Sequence, residues 1–161
     1  MHRTAVAKSS QNDEELALKS RHFTQMLQFV ELLHRRFLDV ITAELGRREK
    51  ALSAVQALIL SHASERPLSV GQLLALGHYE GTNLTYNVTK LAENGFITLS
   101  RPEWDKRSSL IELTAEGREV AGLIASTIEQ HAAALAGIGI PKDDLSLITQ
   151  TLKALNQQWS S

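Results

Sequence analysis

Between Thr82 and Asn94 the side chains that can form directional hydrogen bonds gather on one side of a helix. Leu84, Val88 and Leu91 fall at i, i+4 and i+7 and make an apolar stripe that must face a core. The opposite face carries Thr82, Asn83, Tyr86, Thr89 and Lys90: hydroxyls, an amide, one cation and no carboxylate. That set suits base edges and phosphates in a major groove about 12 Å wide. Thr and Asn are weak helix formers, and Thr85 and Asn87 add two more, so helix propensity does not explain the composition. The plainer reading is a solvated polar face, but such faces are usually filled with strong formers such as Glu and Lys.

Neighbouring segments supply a way of presenting that face. Ser69 to Leu76 predicts a short helix, opened by Ser69 with Gln72 three residues later, the capping-box pattern. A small-residue turn, Gly77 to Gly81, leads into the second helix, and Gly95 stands where a left-handed C-cap is needed. Two strand-like runs follow, Phe96–Ser100 and Leu110–Leu113, around a charged tip spanning Arg101 to Ser109. Helix, turn, helix and a two-stranded hairpin make a winged helix-turn-helix. At the tip, Asp105, Lys106, Arg107 and Ser108 put an arginine within reach of a minor groove or its phosphates. Asp105 would hold Arg107 or a nearby backbone N–H in place. Taken alone, the tip also reads as a charged turn with no partner.

The runs Leu91-Ala-Glu-Asn-Gly-Phe-Ile, Asp105-Lys-Arg-Ser and Leu113-Thr-Ala-Glu-Gly-Arg resemble, in order and spacing, the bacterial MarR family. The match covers about a quarter of the chain; the wing departs from the pattern by placing Glu103 and Trp104 ahead of Asp105. The resemblance implies a dimeric transcription regulator, in many members a repressor released by a small molecule. It further implies an effector site between the dimerisation helices and the DNA-reading region, often for aromatic acids. Here its walls and polar groups would include Arg21, His22, Phe23, Met26, His34 and Phe37.

The flanking segments read as helices seeking partners. From Asn12 to about Leu45, Phe23, Met26, Val30, Leu33, Phe37 and Val40 or Ile41 repeat at three-four spacing. Ser53 with Gln56 predicts a second capping box, opening a helix to about Ser64 that buries Val55, Leu58 and Ile59. Thr114 caps a helix to about Ala136 with Val120, Leu123, Ile124, Ile128 and Leu135 inward. After Gly137–Pro141, Leu145, Ile148, Leu152, Leu155 and Trp159 form a regular seam that asks for a partner helix.

At 161 residues, 22% charged and 43% hydrophobic, the chain has globular composition. It has no cysteine, hence no disulfide framework or thiol sensor, and no window approaches 18 uncharged apolar residues. The first dozen residues lack the apolar core of a secretion signal, so a cytoplasmic location is expected. The net charge of −1 gives only a weak electrostatic footprint, and residues 81–109 carry four basic against three acidic side chains. The six histidines form no H-x-x-x-H or H-E-x-x-H pair, and the Gly71–Gly77 run lacks the Lys-Ser of a phosphate loop. No cofactor, metal or catalytic group is expected; convergence of His22, His34 and His131 on a metal is the weaker alternative.

The expectation is therefore a mainly α (α+β) fold with a small β-hairpin wing and a helical dimerisation layer. Residues 1–12 would be a disordered tail and 13–161 one domain, with 50–114 binding DNA and 13–46 and 115–161 dimerising. The expected function is sequence-specific regulation of transcription by a homodimer, chiefly as a repressor, on a pseudo-palindromic operator. The competing reading is a winged-helix module that binds another protein through the same face.

Overall fold

Two compact units divide the chain, Met1–Ala54 and Val55–Ser161. The computed structural model describes residues 2–76, 79, 81–100 and 109–159, with side chains from Asn12 onward. The wing-tip residues Asp105, Lys106, Arg107 and Ser108, with Glu103 and Trp104, lie outside the described residues, as do Gly77, His78 and Glu80.

The first unit is dominated by one helix, α1 (His2–Arg47). It begins well before Asn12, so the residues expected to form a loose tail are helical. No Gly or Pro occurs before Gly46, and once a helix is nucleated each further residue adds a hydrogen bond at little cost. Ile41 and Leu45 are buried, Met26, Phe37 and Val40 are half-buried, and Leu16, Phe29 and Leu33 are exposed. The helix passes through Gly46 and closes with Arg47 and Arg48 on the carboxylate of Glu44. The hydrogen bond from Arg47 holds the Glu44 carboxyl below its ordinary pKa. Glu49 then takes a left-handed backbone, φ +54°.

The second unit is built on periodicity. In α2 (Ala54–His62), Ala57, Ile59 and Leu60 are buried, whereas Val55 and Leu58 are only half-buried. The inward face is thus turned from the expected one, because small alanines mark it weakly. Ser69 caps α3 (Val70–Ala75): its hydroxyl accepts from Gln72 N at 3.1 Å while Gln72 Oε1 accepts from Ser69 N at 2.8 Å, so the capping box is complete. Then α4 (Gly81–Glu93) buries Leu84, Val88 and Leu91, each contributing about 1.5–3 kcal/mol by leaving water.

The sheet has three strands, not the expected two. A two-residue strand, β1 (Leu68–Ser69), joins β2 (Ile97–Ser100) and β3 (Leu110–Leu113) in the antiparallel order β1-β3-β2. Register pairs Leu68 with Ile111 and Leu99 with Ile111, which places the buried Ile111 between two leucines. Thr114 caps α5 (Ala115–Ala134), where Val120, Ala121, Ile124 and Thr127 are buried. Ile128, expected inward, is 43% exposed, and Leu135 is half-buried in a 3₁₀ turn, Leu135–Ile138. Threonine takes an inward place because its hydroxyl is satisfied by Leu123 O at 2.8 Å. The last helix, α6 (Lys142–Trp159), buries no residue; Ile148 and Trp159 are exposed, and Leu152 and Leu155 half-buried. Among the described residues, no single helix is long and apolar enough to cross a membrane.

Candidate nucleic-acid interface

The outward face of α4 is assembled by burial of the inward one. With Leu84, Val88 and Leu91 in the core, Thr82, Asn83, Tyr86 and Thr89 are exposed, Tyr86 by 61%, and Lys90 is half-exposed. The structure brings all five expected α4 residues onto one surface.

Local hydrogen bonds decide which polar groups stay available. The Thr85 and Thr89 hydroxyls donate to carbonyls one turn back, Gly81 O at 3.0 Å and Thr85 O at 2.9 Å. Such back-bonding satisfies the hydroxyl proton and leaves the oxygen lone pairs able to accept. Asn87 is 6% exposed and belongs to the inner side; its Nδ2 donates to Asn83 O at 2.9 Å and to Asn83 Oδ1 at 2.6 Å. Asn87 is thus set apart from the exposed polar residues of this helix, and its amide bonds to that of Asn83. The position lies three residues from Leu84 and four from Leu91, which signals the buried side.

A carboxylate also reaches this surface, contrary to expectation. Glu93 Oε2 accepts from Lys90 Nζ at 2.7 Å, and this hydrogen bond holds the Lys90 ammonium above its ordinary pKa. The pair is surface-exposed, so water and salt weaken it and an incoming phosphate can compete for the ammonium.

Both ends of α4 are tied down. At its C-terminus Gly95 takes φ +78°, a left-handed conformation that glycine adopts without strain, and Phe96 N donates to Leu91 O at 2.9 Å. Thr114 Oγ1 shares its single proton between Gly95 O at 2.8 Å and Phe96 O at 3.0 Å, and accepts from Gly117 N at 3.1 Å. One hydroxyl therefore joins the end of α4 to the start of α5. Ahead of α4, Tyr79 lies in the connection from α3, with its hydroxyl 2.7 Å from His62 Nδ1 at the end of α2. Burial pushes the Tyr79 phenol up to about 12. The Gly95 and Thr114 caps are legible in the sequence, but the bonds from Thr114 to Gly95 and Phe96 and between Tyr79 and His62 are not.

On β2 and β3, Ser100 Oγ donates to Glu112 Oε1 at 2.7 Å, across the hairpin below its tip. The residues considered for an effector, Arg21, His22, Phe23, Met26, His34 and Phe37, all lie on α1 in the first unit. Arg21, His22, Phe23 and His34 are exposed, and Met26 and Phe37 half-buried. Arg21 sits about 140° around the helix from Met26, at 100° per residue, so the six do not share one narrow stripe.

Residues 52–117 match the family profile of the winged helix DNA-binding domain. The chain is 30% identical over 140 residues to the exopolysaccharide II synthesis transcriptional activator ExpG of Rhizobium meliloti, covering 86% of this chain and 72% of that protein. It is 28% identical over 130 residues to the transcriptional activatory protein BadR of Rhodopseudomonas palustris, covering 78% and 70%. Among solved structures, it is similar to a MarR family transcriptional regulator from Listeria monocytogenes complexed with 26mer DNA. That likeness has a TM-score of 0.72 at 20% identity, over 82% of this chain and 87% of that one.

Proposed function

The chain belongs to the MarR family of bacterial winged helix-turn-helix transcription regulators, and on that premise we propose that it acts as a homodimer on a pseudo-palindromic DNA site. The observation that carries the reading is the exposed surface of Thr82, Asn83, Tyr86, Thr89 and Lys90, directly opposite three buried aliphatic residues of α4. In this reading α4 enters the major groove, Asn83 and Tyr86 meet base edges, and Lys90 leaves Glu93 for a phosphate. Asp105, Lys106, Arg107 and Ser108 make the adjacent wing contact, with Arg107 as its cation. The protein works by binding rather than catalysis, in the cytoplasm where its DNA is found. A protein-binding winged helix would favour exposed apolar residues on this face.

Residues 50–114 read DNA, while 13–46 and 115–161 join two copies. Support comes from α6, none of whose residues is buried within its own chain despite the apolar seam from Leu145 to Trp159. Two-fold symmetry then sets the half-sites one helical turn apart, about 34–36 Å. Selection of bound fragments from random duplex DNA tests the reading. An inverted repeat is expected, and recovery of unrelated sequences would contradict it. Removing 143–161 should give a monomer or an aggregate; a soluble dimer lacking that segment would contradict the assembly.

A small aromatic carboxylate is the proposed effector, with Arg21, His22, Phe23, Met26, His34 and Phe37 among the groups that meet it. It can regulate only by preferring one dimer state, and a coupling of ~1–3 kcal/mol would change DNA affinity about 5–150-fold. Calorimetry with benzoate-like acids, with and without the selected DNA, should find different affinities in the two conditions; equal affinities would contradict regulation. Repression by blocking a promoter is the simplest outcome of binding. Activation is a second reading, favoured because ExpG and BadR are both named as activators. Transcription in vitro from a promoter carrying the selected site separates the two by the sign of the change.

A further inference from the structure

Tyr79 and His62 are 17 residues apart in sequence and meet side by side in space. Nδ1 of His62 lies 2.7 Å from the Tyr79 hydroxyl, and the rings stand edge to face, centroids 5.8 Å apart at 71°. Both side chains are half-buried. His62 ends α2, whose Ala57, Ile59 and Leu60 are fixed in the core. Tyr79 stands two residues before the first residue of α4, and Thr82 and Asn83 follow in its first turn. Burial holds the proton on the Tyr79 phenol, so its hydroxyl is equipped to donate to an imidazole nitrogen that carries a lone pair.

We propose that His62 and Tyr79 are positioning residues for DNA reading. Their hydrogen bond fixes where α4 begins and therefore how Thr82 and Asn83 meet the bases. Base-edge hydrogen bonds tolerate only a few tenths of an ångström around 2.7–3.2 Å, so a small shift of the helix start breaks them. A phosphate contact from the flexible Lys90 tolerates the same shift. Losing the hydroxyl should thus lower specific binding before it lowers non-specific binding. The inference rests on the reading that α4 contacts DNA.

The test compares affinities for the selected duplex and for random duplex. Tyr79→Phe keeps the ring and removes only the hydroxyl. It should weaken specific binding roughly tenfold, on the scale of one lost base contact, and leave random-duplex binding within about twofold. His62→Leu should do the same, and the double variant should be no worse than either single one. His62→Asn, whose amide can stand in for Nδ1, should restore most of the specificity. An unchanged specific-to-random ratio in Tyr79→Phe, or a parallel fall in both affinities, would overturn the positioning role and leave the DNA reading intact. Failure of His62→Asn to restore specificity would also overturn it. Wild-type protein that does not prefer its selected duplex would overturn both.

Discussion

Asn87 donates from Nδ2 to the Oδ1 of Asn83 at 2.6 Å, so a buried amide sets the orientation of an exposed one. With that oxygen engaged, Asn83 is left with its amide hydrogens to offer, and in the proposed complex these would meet acceptors such as purine N7, guanine O6 or thymine O4. Asn87→Leu keeps the branching at Cγ and removes the bond. Its stability should change by no more than about 1 kcal/mol, since Asn83 remains solvated. If Asn83 reads a base pair as proposed, preference at that pair should relax, as measured by affinities for single-base variants of the selected site. Unaltered preference would separate Asn87 from recognition.

The junction of α4 with α5 makes a stability prediction. A Cβ on Gly117 would overlap the carbonyl oxygen of Phe96, whereas one on Gly122 meets nothing within 4 Å. Gly117→Ala should therefore destabilise by about 1–3 kcal/mol through overpacking. Gly122→Ala in the same helix should stabilise by roughly 0.5–1 kcal/mol. Urea unfolding of the two variants checks the contrast, and equal midpoints would contradict the close packing at Gly117.

Tyr79 predicts the response to alkali. Burial raises its pKa from near 10 to about 12 in the folded chain. Below about pH 10 both folded and unfolded chains keep the phenolic proton, and this contribution to stability is fully present. Between about pH 10 and 12 the unfolded chain loses that proton first, so stability falls as pH rises. Tyr79→Phe should lose less stability across that window in denaturant titrations; an identical decline would exclude Tyr79 as its source.

The wing makes its own prediction. Arg107→Ala should cost ~1–3 kcal/mol of DNA binding with the fold unchanged. Asp105→Ala should weaken binding too, despite removing a negative charge, if Asp105 has the proposed role of holding Arg107 in place. Tighter binding by Asp105→Ala, in a fluorescence titration, would contradict that role.

Elements with a period or a cap were legible in the sequence. Leu84, Val88 and Leu91 repeat at helical spacing, Ser69 with Gln72 marks a helix start, and Gly95 and Thr114 mark an end and a beginning. Strand β1 was not, because two residues are too few to show alternation. Ala57 and Ala121 are buried without a strong hydrophobic signal, which displaced the inferred faces of α2 and α5. Placing Thr82, Asn83, Tyr86, Thr89 and Lys90 on one face needed only the 100° step of the helix. The side-chain bonds Asn83–Asn87 and Lys90–Glu93 depend on rotamers, and His62–Tyr79 on tertiary packing, so composition and spacing carry none of them.

If one face of α4 divides its work between bases and phosphate, a paired salt titration separates the two roles. Asn83→Ala and Lys90→Ala are each titrated with the selected duplex and with random duplex over a range of salt concentrations. Lys90→Ala should weaken both duplexes alike and reduce the salt slope by about 1 per subunit. Asn83→Ala should weaken only the selected duplex and leave the slope unchanged. Identical effects of the two substitutions on both duplexes would show that α4 does not sit in the groove.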